Sequence, residues 1–276
     1  MNKKVTSIVM SAAMLATFGV AAFGLTSCDG SEIKEINISG SSSVSPLMQK
    51  LAAEYEKAHD NVAIIVNTSD SSTGITEAKE GKNDFGMASK GVKEDVLTTV
   101  QIATDGVALI VNKGCDVSDV TPAEVYDLYA EGLPLQTTIV AAISREEGSG
   151  TRDAFGDLIK SADGKKLKEL SSFAECVAVQ NATGTVKEAI VSNSAANTLG
   201  YISMGSVDET VKTLKVNGVE ATAENVKNGS YSLSRPFNLV YNTEKGLSEE
   251  AKDFLDYILS SEGQAVVAAN GYVTIL

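Results

Sequence analysis

Three times along the chain, a short apolar run stops at a turn rich in serine, threonine and glycine, then gives way to apolar residues at helical spacing. The first unit is INISG, Ile36 to Gly40, followed by SSSVSPLMQKLAAEY, in which Val44, Leu47, Met48, Leu51, Ala52 and Tyr55 form one helical face. The second runs from AIIV, Ala63 to Val66, through the polar turn SDSSTG, Ser69 to Gly74, into a short helix expected from Ile75. The third joins IVAAIS, Ile139 to Ser144, through Arg145 to EEGSGTRDAF, with Phe155, Leu158 and Ile159 at helical spacing. Strands alternating with one-faced helices confine the chain to the α/β class, because each helix must bury its stripe against a sheet. A length of 276 residues allows one large domain or two of ordinary size.

The turns themselves suggest chemistry. The first turn of a helix has backbone N–H groups without intrahelical partners and a partial positive charge, which suits an anion. Glycine lets backbone approach a ligand, and Ser149 and Thr151 add hydroxyl donors. A plain helix cap explains any one such turn equally well. Three of them at strand-to-helix joins lie where open α/β sheets bind ligands. Arginine is scarce: Arg145, Arg152 and Arg235 are the whole set. Arg145 is the candidate bidentate clamp for an oxyanion, and Arg152 reads as an exposed helix charge. The formal charge of -13 argues against nucleic acid and requires any anion to be held by local geometry.

Catalytic readings fare poorly. The only histidine, His59, sits at the end of the first helix, where it closes the helix rather than serving a nucleophile. Neither a Gly-x-Ser-x-Gly elbow nor a P-loop lysine occurs, and GSGTRD places Asp153 where a dinucleotide fingerprint needs its third glycine. No Cys or His spacing fits a metal, and no cofactor is expected.

Further elements complete the outline. DFGMAS, Asp84 to Ser89, reads as a short buried strand, and GVALIVN, Gly106 to Asn112, as a strand buried on both faces of a parallel sheet. TPAE, Thr121 to Glu124, is a capping box with proline at the first helical position. TGTVKEAIV from Thr183 reads as a helix, GYIS and RPFNLVYN as strands, and SEEAKDFLDYILS from Ser248 as a capped helix. The N-terminus, with Lys3 and Lys4, an apolar run from Ile8 to Leu25 and LTSC ending at Cys28, reads as an export segment. Its end resembles the bacterial lipoprotein box, which implies lipidation at Cys28 and a protein tethered outside the cytoplasmic membrane. An uncleaved anchor or ordinary signal cleavage are the other readings. Cys115 and Cys176 then remain, as a disulfide or as two separate thiols.

In order, SGSSSVSPL, SSTGI, DFGMASK, TDGVALIVN, SREEGSGTRDAF, LGYIS and SLSRPFNLVYN resemble the phosphate-binding lipoproteins and periplasmic proteins of high-affinity phosphate ABC transporters. The resemblance covers about Ile36 to Ile275. It implies the two-domain, type II periplasmic-binding-protein fold, each domain a mostly parallel sheet flanked by helices, joined by two hinge strands. The implied division is 1–27 signal peptide, 28–35 tether, 36–105 with 235–276 as domain I, and 106–234 as domain II. The hinges would fall near Thr104 to Ala108 and Leu233 to Phe237. The implied function is capture of inorganic phosphate for an ABC permease, by a monomer without enzymatic activity. A receptor for sulfate or molybdate, or a secreted phosphoester-processing enzyme, is the alternative.

The resemblance also implies a ligand set: Ser42, Ser43, Ser71, Ser89, Arg145, Ser149, Gly150 and Thr151, with Glu147 orienting Arg145. Some family members follow their DFG-A-S segment with an aspartate that accepts the proton of HPO₄²⁻. Here Lys90 stands there. Such a hydrogen bond can discriminate by about 10⁴ to 10⁵ against an analogue lacking the proton. Asp105, at the expected hinge, is the candidate replacement acceptor, its plainer role being to cap a turn before Gly106.

Overall fold

A computed structural model of the chain describes residues 33–276. Cys28 and the apolar N-terminal segment lie outside the described residues. In chain order the elements are β1 (Lys34–Ser41), α1 (Ser45–Glu56), β2 (Val62–Ser69), α2 (Ser71–Glu80), β3 (Phe85–Ala88), β4 (Leu97–Asn112), β5 (Asp119–Val120), α3 (Pro122–Glu131), β6 (Ala141–Arg145) and α4 (Gly150–Leu158). They continue with β7 (Val177–Gln180), α5 (Thr183–Ser192), β8 (Thr198–Ser203), β9 (Val211–Thr213), β10 (Lys215–Val216), α6 (Ala223–Lys227), β11 (Ser234–Asn242), α7 (Glu249–Leu259) and α8 (Ser261–Ala269).

The main sheet runs β2-β1-β3-β11-β4-β8-β6-β7, with β9 also on β4. Its outer parts are parallel, β1 with β2 and β3 at one end and β6 with β7 and β8 at the other. Its middle is antiparallel, β11 with β3 and β4, and β4 with β8 and β9. The stretch Gly106 to Asn112, expected in a parallel sheet, is therefore the second half of a 16-residue strand in antiparallel pairing. The apolar run is real, since Val107 to Val111 are all fully buried. Burial on both faces, not pairing direction, wrote that pattern into the sequence.

Two apolar clusters divide along these middle strands. One gathers Ile36, Leu47, Leu51, Phe85, Phe237, Phe254 and Ile258 from the two ends of the chain. The other gathers Leu109, Val125, Tyr129, Phe155, Tyr201 and Leu233 from its centre. β4 and β11 run from one cluster to the other, with Arg235 opposite Asp105 and Ser234 opposite Gly106. Each buried large side chain contributes about 1.5–3 kcal/mol, so either cluster is a substantial core.

The helix starts follow the chemistry of their caps. Thr121 forms the capping box with Glu124, Ser248 accepts from Ala251 N, and Ser149 accepts from Arg152 N. α2 begins at Ser71, four residues before the expected Ile75. Asp70 caps it through Thr73 N at 2.9 Å, and Gly74 lies inside the helix rather than in a turn. Gly74 is there for packing: a Cβ would come within 2.7 Å of both Gly40 Cα and Ser39 O, so only glycine lets α2 lie this close to β1.

Candidate functional site

Five chain segments bring their hydroxyls to one buried point between the two clusters. Ser41, Ser42 and Ser43 come from the β1–α1 turn, Ser71 opens α2, Ser89 ends β3, Ser149 to Thr151 open α4, and Thr183 opens α5. All are buried. Ser43 Oγ lies 2.7 Å from Thr151 Oγ1 and 3.1 Å from Thr183 Oγ1. Ser41 Oγ donates to Ser89 Oγ at 2.9 Å, and Ser89 N donates to Ser71 Oγ at 3.1 Å. Gly150 is a steric requirement, since a Cβ there would fall 2.4 Å from Ser71 Oγ and 2.7 Å from Ser89 Oγ. The N-cap residue of α1, Val44, offers no side-chain acceptor to the first-turn N–H groups of that helix, which begins two residues after Ser43.

Arg145, the last residue of β6 and only 1% exposed, reaches into the cluster. Its Nη2 donates to Ser42 Oγ at 3.0 Å and its Nη1 to Thr183 Oγ1 at 3.3 Å. The carboxylate that orients it is Glu146 and not the expected Glu147: Arg145 Nε and Nη2 each donate to a Glu146 oxygen at 2.7 Å. Glu146 N still donates to Gln180 O on β7, which holds this residue beside the guanidinium, while Glu147 is carried out to solvent. Tyr201 fixes the strand end from behind, its hydroxyl accepting from Arg145 N at 3.1 Å. Arg152 is less exposed than expected, with its guanidinium over the Phe173 ring and Nη1 donating to Arg145 O.

Ser42, Ser43, Ser71, Ser89, Arg145, Ser149, Gly150 and Thr151 thus come together. Asp105 makes its bonds elsewhere. Its Oδ1 accepts from Ser203 Oγ at 2.9 Å and Met204 N at 3.2 Å, and its Oδ2 from Arg235 Nε at 3.1 Å and Nη2 at 2.9 Å. Those four donors occupy the four lone-pair positions of a carboxylate. Full burial pushes the Asp105 carboxyl up to about 6, against the opposing pull of Arg235, Ser203 and Met204. Burial likewise depresses Arg235.

Three cations around the site each pair with an acid, Arg145 with Glu146, Arg235 with Asp105, and Lys90 with Asp153. An anion here meets oriented N–H and O–H dipoles more than net positive charge, which fits a chain of formal charge -13. Among the described residues no group of His, Cys, Asp and Glu is arranged to hold a metal. His59 stacks on Tyr55 with ring centroids 3.7 Å apart and bonds Tyr55 O, closing α1. Cys115 and Cys176 are separate free thiols.

Sequence reasoning missed Thr183, Ser41 and the role of Glu146. Thr183 had a visible signal, because TGT before VKEAIV is a fourth hydroxyl-and-glycine helix start.

Helix starts and hydroxyls converge on an arginine between two α/β cores linked by two antiparallel strands, an arrangement of donors suited to an oxyanion. The family profile of the PBP superfamily domain matches residues 26–262, and the chain belongs to that family. Among solved structures, a putative phosphate ABC transporter substrate-binding protein with bound phosphate from Clostridium perfringens is 38% identical, with a TM-score of 0.80, covering 88% of this chain and 100% of that one. An ABC-type phosphate transport receptor from Vibrio cholerae is 29% identical, with a TM-score of 0.68, over 87% of this chain and 100% of that one. The phosphate-binding protein PstS 2 of Streptococcus agalactiae is 44% identical over 135 residues, 48% of this chain and 45% of that protein, so this match spans about half the length of the relative.

Proposed function

We propose that the chain is an extracytoplasmic receptor that holds inorganic phosphate between two lobes, 36–105 with 235–276 and 106–234, and delivers it to an ABC transporter permease. It acts as a carrier and not as an enzyme, and lipidated Cys28 tethers it to the membrane as a monomer. The observation that carries this reading is the meeting of Ser42, Ser43, Ser71, Ser89, Ser149, Gly150 and Thr151 around the buried, Glu146-oriented Arg145. Relatives named for phosphate support the choice of ligand. The hydroxyls that bond one another here are the groups that would turn to ligand oxygens. Charge-assisted bonds of about 1.5–3 kcal/mol each supply more than the roughly 8–12 kcal/mol of a micromolar to nanomolar complex, the excess being absorbed by desolvation and ordering.

A second reading has one observation in its favour. The partly buried carboxylate of Glu146 and the fully buried one of Asp105 are both engaged by guanidinium groups. The proton of HPO₄²⁻ then falls to a serine or threonine hydroxyl, which can donate as well as accept. Such a site rejects sulfate less sharply than one built around a free carboxylate. Calorimetric titration of the full-length protein, stripped of ligand by unfolding and refolding, decides between them. Tight one-to-one phosphate binding with little response to sulfate supports the phosphate receptor. Equal affinity for both makes it a general oxyanion receptor, and a folded protein that binds neither overturns both readings.

A further inference from the structure

Three of the five cluster segments have neighbours just outside the cluster that reach across to the other lobe. Ser72 follows Ser71, Lys90 follows Ser89, Gly148 precedes Ser149, and Asp153 lies two residues past Thr151. Ser72 N and Ser72 Oγ both donate to Gly148 O, at 3.2 and 3.1 Å. Lys90 Nζ donates to Ser72 Oγ at 3.3 Å and to Asp153 Oδ2 at 2.6 Å. The order Gly148–Ser72–Lys90–Asp153 is therefore one continuous run of bonds, anchored at both ends on the second lobe and in the middle on the first.

The parts are shaped for this. Gly148 has φ +90, a conformation that suits glycine and turns its carbonyl toward Ser72. A Cβ there would also meet Asp70 Oδ1 at 2.7 Å, so the close approach of the two rims again requires glycine. Asn238 Nδ2 donates to Lys90 O at 2.8 Å and holds the lysine backbone against β11. The Lys90 side chain is 23% exposed and that of Asp153 48% exposed, so the run lies along the rim and is open to screening by salt.

We propose that Lys90, Asp153, Ser72 and Gly148 form an inter-lobe clasp that sets how long the ligand stays. It adds no contact to the ligand. The clasp forms only when the rims meet, so it slows opening and leaves encounter with the open form unchanged. This inference rests on the two-lobed receptor reading above. A partly exposed ion pair of this kind changes a rate by about two- to fivefold.

The test uses full-length protein loaded with radiolabelled inorganic phosphate, chased with unlabelled phosphate and sampled by rapid filtration. Lys90→Met and Asp153→Asn are each expected to speed dissociation by about two- to fivefold with an unchanged association rate. The double variant should be no faster than either single one, because the two share one interaction. Lys90→Arg should retain most of the slow release, and raised salt should speed wild type toward the variants. Wild type that retains phosphate while both single variants release it at the wild-type rate overturns the clasp alone. So does an additive double variant. Wild type that retains no phosphate overturns the receptor reading and the clasp with it.

Discussion

Replacing Arg145 by alanine removes two donors from the cluster and leaves the Glu146 carboxylate facing the place an anion would take. Two lost charge-assisted bonds cost about 3–6 kcal/mol, so affinity for phosphate should fall at least about a hundredfold. Calorimetry reads the loss, and an unchanged circular dichroism spectrum shows that the fold survives. Asp105 makes a different prediction. Its carboxyl titrates near about 6 in the fold and near about 4 in the unfolded chain, so the native state binds the extra proton between those values. Its contribution to stability is then greatest below about pH 4 and declines as pH rises to about 6. The stability difference between wild type and Asp105→Asn, followed by thermal melts across that window, should fall with rising pH. A flat difference would show that Arg235 holds the carboxyl at its ordinary value. Of the residue-level site, the arginine and its helix-start donors were legible because scarcity and turn chemistry mark them. Glu146 against Glu147 was not, since the choice depends on where the chain leaves its pairing with β7.

Helix starts separate what folds the chain from what gives it a site. Thr121→Ala breaks a capping box far from the cluster and should cost about 1 kcal/mol of stability with phosphate affinity unchanged. Gly150→Ala drives a methyl into Ser71 and Ser89, so affinity should fall more than about tenfold, with a loss of about 1–3 kcal/mol in stability that its better helix propensity offsets only in part. Paired melts and titrations of these two variants check the contrast. The strand–turn–helix units were legible because period and punctuation are local. The start of α2 was not, because Ser-Ser-Thr-Gly has the composition of a loop and is helical only where Gly74 can lie on Gly40. Nor could the antiparallel company of β4 be read, since its main partner β11 lies far along the chain.

At the scale of the molecule, ligand bound between two lobes stabilises both together. Phosphate at a hundred times its dissociation constant should add about 2.7 kcal/mol, a rise in melting temperature of about 5–10 °C for a chain of this size. A single transition that shifts as a whole is expected in calorimetric scans. Two transitions, one of them unmoved, would mean that the site belongs to one lobe alone. The two-lobed plan was legible only through the ordered resemblance of many weak motifs, because which core each element joins depends on pairings no local pattern encodes. One of those pairings also bears on how the chain assembles. β11 sits between β3 and β4, so the sheet that begins with β1 stays open in its middle until residues 234–242 arrive. The central segment, whose contacts are nearer in sequence, is free to condense first. The half of the molecule made earliest is then the last to close, and until it does the edges of β3 and β4 are exposed strands that can pair with another chain.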